Sequence, residues 1–363
     1  MTTNGKNGVL YVGIDLGTMR TAVAASNGVR ETDYSYVGYP KDMVSQKLFK
    51  KDQIFGKEAL KKRLGLDLIR PFEHGFIKYG AGHTSSTGAE QSGASGLSQA
   101  DLEKHMQAAR DLVKYTIGLA KPRKDELVYG VLGAPAQASI DNKRLLVEAT
   151  RGVLDAVMVC SEPFAVAYGL EMLDDALVVD IGAGTVDLCR MHGTMPAAED
   201  QITLDTAGDW LDKQFYAKLK HKLPEADFSI HAIKELKEKY AFVSDIAEPV
   251  LGEFLVRGKP TKFDVTNDLR DTCRMIVPPI VKSLQQLISS FDPDFQARLR
   301  DNVLLAGGGS QITGLDRVLE EFMRRSLGSG KVTKVDEPVF AGCNGALKMA
   351  QDMPEEYWKR LAA

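Results

Sequence analysis

The feature that most constrains this chain is a short glycine-containing turn that occurs twice. The first copy is GIDLGT at residues 13–18, and the second is DIGAGT at residues 180–185. Each copy follows an apolar run typical of a buried strand and leads into a second strand-like run. Because Asp15 and Asp180 lie 180 − 15 = 165 positions apart, each half of the chain carries one copy. The duplication predicts two lobes that close on one polyphosphate.

The residue types of the turn suit a phosphate group and its metal ion. Glycine lets backbone N–H groups approach phosphate oxygens without a clash at Cβ, and a threonine hydroxyl adds a further donor. Asp15 and Asp180 supply hard oxygens for Mg²⁺, directly or through its waters. A single copy of such a turn is common at strand ends and is weak support for a phosphate site. The candidate phosphate contacts are Gly17, Thr18 and Met19 in the first copy and Gly182, Ala183, Gly184 and Thr185 in the second.

A third glycine-rich segment strengthens the nucleotide interpretation. Residues 302–310, NVLLAGGGS, read as a buried strand that runs into a triple glycine, and a helical pattern follows. A tight turn needs one glycine, whereas three allow a flat ligand to lie against the backbone near a helix N-terminus. The candidate contacts here are Gly307, Gly308, Gly309 and Ser310.

The bulk composition excludes several other classes. A chain of 363 residues exceeds the size at which a single core stops growing, so two lobes are expected. The net charge of −3 gives no reason to expect a nucleic-acid partner. The four cysteines have no C-x-x-C spacing, which argues against zinc and disulfides and for a reducing cytosol. The sequence offers no apolar run of about 18 residues and no signal peptide, so we expect no membrane insertion.

The order of the three glycine-rich signals resembles the actin, Hsp70 and sugar-kinase superfamily. Four more segments match it: 161–170 and 340–346 resemble its two connecting helices, 237–240 its adenosine-bordering segment, and 70–77 an entry loop of the actins. Further segments resemble the bacterial actin-like filament proteins associated with magnetosomes. These are 37–42, 187–189, 193–201, 258–266 and 354–358, and residues 80–98 look like an insertion relative to them.

The resemblance implies an α/β protein with the two-lobed actin-like ATPase fold, built from duplicated RNase H-like domains. Four subdomains are expected on this basis. They are IA (1–33, 70–172 and 341–363), IB (34–69), IIA (173–213 and 266–340) and IIB (214–265).

Glu162 has two interpretations. Pro163 suits the first helical position, which would make Glu162 the N-cap, stabilised by the helix dipole. The resemblance instead places Glu162 beside the water that attacks the γ-phosphate, with Asp15 and Asp180 as the other catalytic carboxylates, which hold Mg²⁺ through water. Asp187 is a weaker candidate that supports the second turn.

The resemblance also supplies contacts to the nucleoside. Further nucleotide contacts are expected at Gly208, Lys234, Lys237 and Glu238. For the last three, the alternative is a charged helix surface with an i, i+4 pair from Lys234 to Glu238.

The function implied by the resemblance is an ATPase that binds ATP or ADP with Mg²⁺ and polymerises with itself. We expect a multi-stranded cytoskeletal filament in the bacterial cytoplasm, with magnetosome-associated proteins as partners. Plasmid-segregating and cell-shape actins are alternatives within this class. A small-molecule kinase of the same fold would need a substrate pocket and usually a longer chain. A chaperone would need a substrate-binding domain after the second connecting helix, where this chain stops soon.

Other patterns predict local structure. The region 268–291 reads as one long helix bent at Pro278-Pro279, and residues 79–97 read as a mobile loop. The lysine-rich stretch 34–68 is either a docking face or a solvated helix surface, and the tail 353–363 is expected to dock on the first lobe. The core residues predicted in the long helix are Leu269, Cys273, Ile276, Leu284, Leu287 and Phe291.

Overall fold

The computed structural model describes residues 8–78 and 99–362 of the chain. It divides into two compact units. The first comprises the described residues of Met1–Leu173 together with Val339–Ala363, and the second comprises Asp174–Pro338. The insertion and mobile loop predicted between residues 79 and 98 lie outside the described residues. The division into four subdomains stays a prediction.

The strands of the described chain are short and fall into two sets. The strands of the first unit are β1 (Val9–Leu16), β2 (Arg20–Ala25), β3 (Arg30–Tyr34), β4 (Val37–Pro40), β5 (Ile54–Phe55), β6 (Leu66–Ile69), β7 (Phe72–Glu73), β8 (Phe76–Ile77), β9 (Leu127–Ala134) and β10 (Ala156–Ser161). Those of the second unit are β11 (Ala176–Ile181), β12 (Val186–Met191), β13 (Gln201–Leu204), β14 (Ala226–Asp227), β15 (Leu251–Val256), β16 (Lys259–Asp264), β17 (Val303–Ala306) and β18 (Val332–Lys334).

The helices, numbered along the chain, alternate with these strands. They are α1 (Met43–Phe49), α2 (Gly56–Lys61), α3 (Gln99–Leu119), α4 (Ile140–Thr150), α5 (Glu162–Gly169), α6 (Gly208–Lys222), α7 (Ile230–Tyr240), α8 (Thr266–Arg274), α9 (Val277–Ser289), α10 (Pro293–Arg300), α11 (Leu315–Leu327), α12 (Ala341–Asp352) and α13 (Glu355–Leu361). Short 3-10 turns lie at Arg63–Gly65, Ala198–Asp200 and Gly308–Gln311.

The main sheet of the first unit has the strand order β10-β9-β1-β2-β3. β1 and β2 form the antiparallel hairpin predicted around the first glycine turn, and β1 also pairs in parallel with β9. Every residue of β9 after Leu127 is buried, as expected for a strand with both faces covered. Smaller sheets, β5-β4-β6 and β7-β8, complete this unit.

The main sheet of the second unit repeats this plan, with the order β13-β12-β11-β17-β18. β11 and β12 form an antiparallel hairpin around the second glycine turn, and β11 pairs in parallel with β17. Its core includes Val179 and Leu305 from the sheet, Phe215 from α6 and Leu284 from α9. A small sheet, β14-β15-β16, belongs to this unit as well. The predicted two-lobed α/β fold is therefore confirmed.

The prediction of one long bent helix over residues 268–291 is wrong. The structure has two helices, α8 and α9, separated at Met275 and Ile276. Pro278 and Pro279 lie in the first turn of α9. Backbone N–H groups in the first turn have no acceptor within the helix, so the prolines lose no helical hydrogen bond there. The prolines therefore begin a helix here. Of the six predicted core residues, all are buried except Phe291, which is partly buried against the same core.

The lysine-rich segment carries exposed apolar side chains as well as lysines. On α1, the exposed fractions of Met43 and Leu48 are 82% and 71%, and Leu64 in the following 3-10 turn is 88% exposed. A groove of 360 Å³ beside them is lined by both apolar side chains and lysines, including Phe49 and Lys62. Among the described residues, no helix is long and apolar enough to cross a membrane.

The four cysteines are buried. Burial raises the pKa of the Cys160 thiol to about 12 and that of Cys273 to about 11. Burial likewise raises the pKa values of Cys189 and Cys343, and the nearby carboxylates Asp200 and Asp15 act in the same direction.

The C-terminal helix α13 packs on the main sheet of the first unit, as predicted. Its Trp358 is fully buried, and the Trp358 ring stacks on Tyr129 of β9 with 5.1 Å between the ring centroids. The indole N–H donates to the carbonyl of Ala350 in α12 over 3.1 Å. This side chain therefore joins α12, α13 and the sheet.

Replacing Trp358 with alanine should destabilise the first unit. Loss of a fully buried aromatic side chain costs about 3–5 kcal/mol of unfolding free energy. Urea unfolding of Trp358→Ala measures this cost. Tyr357→Ala, which changes a half-exposed ring on the same helix, is the control and should shift the midpoint little. Equal midpoints for the two variants would contradict the packing role.

Candidate functional site

In the first unit, the glycine turn joins β1 to β2 at the carboxyl end of β1. Asp15 stands opposite Gly133 of β9 in the parallel register. The Thr18 hydroxyl accepts a hydrogen bond of 2.9 Å from the backbone N–H of Gly75. The Ser35 hydroxyl donates to the carbonyl of Gly17 over 2.7 Å. These two bonds come from later loops and fix the shape of the turn.

Glu162 lies at the same sheet edge as Asp15. It follows the last residue of β10, and a methyl group on Gly133 would come within 2.9 Å of the Glu162 Cγ atom. Since Gly133 is the register partner of Asp15, the two carboxylates flank one position of β9. The absence of a side chain at Gly133 leaves the room that Glu162 occupies.

The prediction that Glu162 is the N-cap of α5 is wrong by one residue. The cap is Ser161, whose side chain makes no capping hydrogen bond, and Glu162 is the first helical residue. Pro163 is accordingly the second residue of the helix. A carboxylate in the first turn still benefits from the helix dipole. Its side chain, however, starts from helical backbone and extends over β9.

In the second unit, Asp180 occupies the position that Asp15 has in the first. It is the next-to-last residue of β11 and lies opposite Ala306 of the parallel strand β17 and opposite Asp187 of the hairpin partner β12. Asp187 is buried and accepts a hydrogen bond of 2.6 Å from the Thr203 hydroxyl of β13. Asp187 therefore joins β12 to β13 behind the turn.

The second glycine turn is held by the start of α6. The N–H of Gly208 donates to the carbonyl of Gly182 over 3.2 Å, and the N–H of Asp209 donates to the carbonyl of Ala183 over 2.7 Å. In a trans peptide the C=O of one residue and the N–H of the next point in opposite directions. The N–H groups of Ala183 and Gly184 are therefore directed away from α6. Consecutive N–H groups with this orientation suit an anion.

The three glycines after β17 have different surroundings. A methyl group on Gly307 would lie 2.2 Å from the Asp180 Oδ1 atom, and one on Gly309 would lie 2.1 Å from the Cγ2 of Ile181. These two glycines are required by close packing on β11. At Gly308 a methyl group would meet no atom of the described chain within 4 Å. Ser310 donates back to the carbonyl of Gly307 over 2.7 Å, which closes the 3-10 turn.

The predicted nucleoside contacts on α7 belong to a charge network with α6. Lys237 is only 8% exposed, and its ammonium lies 2.6 Å from both the Gly208 carbonyl and the Asp212 carboxylate. Lys234 lies 3.2 Å from Asp209 and 3.8 Å from Glu238. The alternative of an exposed charged surface is therefore wrong for Lys237. The role of these residues in binding a nucleoside stays a prediction.

Asp212 and Gly133 contribute to the site, although no sequence motif singled them out. Asp212 is 3% exposed. A signal existed, because Asp209 and Asp212 on α6 and Lys234 and Lys237 on α7 are each three residues apart, which puts each pair on one helix face. The importance of Gly133 follows only from the strand register.

Each unit has a hairpin around a glycine turn and a parallel partner strand, and this repeated plan is that of actin-like proteins. Residues 102–356 match the MreB/Mbl protein family. The chain therefore belongs to the MreB/Mbl family of actin-like proteins, which confirms the resemblance drawn from its motifs.

Similar proteins carry the name actin-like protein MamK. The chain is 37% identical over 352 residues to the actin-like protein MamK of Paramagnetospirillum magneticum AMB-1, covering 97% of this chain and 95% of that protein. A solved MamK double helical filament is 36% identical, with a TM-score of 0.86 over 96% of this chain and 100% of that one. A non-polymerising MamK mutant bound to AMPPNP has the same identity and coverage and a TM-score of 0.68.

Alanine substitutions at two neighbouring glycines should show that Gly307 is required by close packing and that Gly308 faces open space. Gly307 has φ 76° and ψ 169°, a conformation found almost only for glycine, so Gly307→Ala should cost about 1–3 kcal/mol of unfolding free energy from backbone strain, and the clash with Asp180 adds to it. Gly308→Ala is the control and should unfold like the parent chain. Thermal unfolding of both variants checks this, and a stable Gly307→Ala would contradict the described packing.

Proposed function

We propose that this chain is an ATP-driven cytoskeletal filament protein that binds ATP and Mg²⁺, hydrolyses the ATP and organises magnetosomes into chains in the bacterial cytoplasm. The observation that carries the proposal is the repeated placement of an aspartate beside a glycine turn at the carboxyl end of a parallel strand. In open α/β sheets this edge is where ligands bind. Support for a nucleotide comes from the AMPPNP-bound MamK relative.

Asp15 in the first unit and Asp180 in the second are each suited to a water-mediated contact with Mg²⁺. Each offers hard carboxylate oxygens, and neither is fully buried. No group of three or more His, Cys, Asp or Glu side chains in residues 8–78 and 99–362 could hold a metal by itself. In our proposal the phosphate oxygens and waters therefore complete the coordination. When bound, the ion neutralises charge on the β- and γ-phosphates.

Glu162 is the proposed catalytic residue for hydrolysis. Its carboxylate shares a sheet edge with Asp15, at Gly133, and its backbone is fixed by the start of α5. A carboxylate held in this way can orient a water molecule and accept its proton as the water attacks the γ-phosphate. The glycine turns and the metal carry the binding of phosphate, so binding and hydrolysis use different groups.

Self-assembly is supported by the filament structures of the MamK relatives. The exposed apolar side chains of α1 and Leu64 give this chain a surface that a second copy can cover, since exposed apolar clusters commonly mark interaction sites. Eight basic residues and three acidic ones between positions 41 and 65 surround these side chains. The chain as a whole is acidic, so another copy offers charge of the opposite sign.

The function is tested by combining an assembly assay with a phosphate assay. With Mg²⁺ and ATP, light scattering should rise and negative-stain microscopy should show filaments, whereas the sample without nucleotide should remain dispersed. Phosphate release should accompany assembly. Phosphorylation of a sugar without sedimentable polymer would instead assign the chain to the kinases of this fold.

Glu162→Gln should retain ATP binding and polymerisation but hydrolyse ATP slowly. Loss of a positioned base typically lowers the rate by about 10²–10⁴-fold. Filaments of this variant should therefore persist after the parent filaments have disassembled. Glu171→Gln, which alters an exposed carboxylate paired with Lys348, is the control.

Phosphate release and melting temperature, measured on the same preparation, distinguish catalysis from helix stabilisation. If Glu162 served only the helix dipole, the variant would lose about 0.3–1 kcal/mol of stability and keep its turnover. Parent-like phosphate release from a destabilised Glu162→Gln would therefore remove Glu162 from the mechanism.

A further inference from the structure

We infer that Lys237 is a positioning residue for the second phosphate turn and acts through Gly208 and Asp212. The inference rests on the proposed function, because it concerns how the chain holds the phosphates of ATP. Lys237 is predicted from the sequence to contact the nucleoside. Its surroundings in the structure point to a different task.

The ammonium group of Lys237 is engaged by protein atoms. It donates to the Gly208 carbonyl over 2.6 Å and forms an ion pair of 2.6 Å with Asp212. Both charged side chains are buried, at 8% and 3% exposure. A buried ion pair at this distance favours one relative placement of the two helices that carry it, because a buried charge that loses its partner is strongly unfavourable. Lys234 lies 3.7 Å from the other oxygen of Asp212 and adds to the same contact between α6 and α7. The pair therefore locks α7 onto the first turn of α6.

That first turn of α6 is the part that holds the phosphate turn. The N–H groups of Gly208 and Asp209 bind the carbonyls of Gly182 and Ala183, and this sets the direction of the next two N–H groups of the turn. The N-cap residue of α6 is Ala207, which makes no side-chain capping hydrogen bond. The hydrogen bond from Lys237 to the Gly208 carbonyl holds the peptide next to the two donors.

The C-terminal end of α7, one turn beyond Lys237, is tied to the segment that follows the triple glycine. The N–H of Thr313 donates to the carbonyl of Ala241, and the carbonyl of Thr313 accepts from the N–H of Val243, both over 3.0 Å. Thr313 lies four residues beyond Gly309. Helix α7 thus connects the two nucleotide-binding elements of the second unit, and Lys237 is the link to the phosphate turn.

The inference is tested by comparing a ligand with phosphates to one without them. In Lys237→Met, the affinity for Mg-AMPPNP should fall about tenfold. This is the range seen when residues that orient the direct contacts of a binding site are removed. The affinity for adenosine, measured by ligand-observed NMR at millimolar concentrations, should be unchanged. Lys239→Met, an exposed lysine on the same helix, is the matched control.

A double variant distinguishes the positioning of the Gly208 peptide by Lys237 from the effect of leaving the Asp212 charge buried without Lys237. Lys237→Met with Asp212→Asn removes both charges, so its melting temperature should recover relative to Lys237→Met, while the AMPPNP affinity stays low because the Gly208 carbonyl still lacks its donor. Recovery of parent affinity in the double variant would overturn the inference. An equal loss of adenosine affinity would also overturn it, in favour of direct nucleoside contact. A parent chain that binds no AMPPNP would refute the proposed function itself.

Discussion

Parallel strand pairing determines where the chemistry of this protein lies. In both units, the strand whose next-to-last residue is the aspartate pairs in parallel with a strand from later in the chain, and their carboxyl ends meet at one edge of the sheet. The residues opposite Asp15 and Asp180 are Gly133 and Ala306, which are small. Because these partners are small, there is space beside each carboxylate. Side-chain or backbone groups of neighbouring elements occupy that space.

The two copies of this arrangement are completed differently. In the first unit, the space over Gly133 is filled by Glu162, a side chain that can take part in proton transfer. In the second, Gly307 brings backbone directly against Asp180, and α6 orients the amides of the turn. One copy therefore adds a carboxylate and the other adds backbone donors. The duplication gives both units the same hairpin and parallel partner strand. The difference between the later elements underlies the division that we propose between hydrolysis in one unit and phosphate binding in the other.

Much of this could be predicted from the sequence, because the glycine turns and their strands are local patterns. The hairpin, the triple glycine and the helix after it depend on residues within about ten positions of each other. The burial of Lys237 was missed because it depends on Asp212 in another helix, and the matching spacing of the two pairs does not by itself show that α6 and α7 pack together. The break before Pro278 was also missed, because one apolar stripe runs through both helices and periodicity alone does not show an interruption. The cap of α5 was misplaced by one residue because Pro163, assigned to the first helical position, occupies the second.

The buried cysteines give the protein a surface without reactive thiols. At neutral pH a thiol whose pKa is about 11 or 12 is almost entirely protonated, and the thiolate is the reactive form. Cys160 and Cys343 also lie beside Glu162 and Asp15, so their protection keeps bulky adducts away from those carboxylates. Oxidants and alkylating reagents that act on exposed thiols thus leave these positions intact. A single cysteine introduced on the surface can accordingly carry a fluorophore in an otherwise unaltered chain.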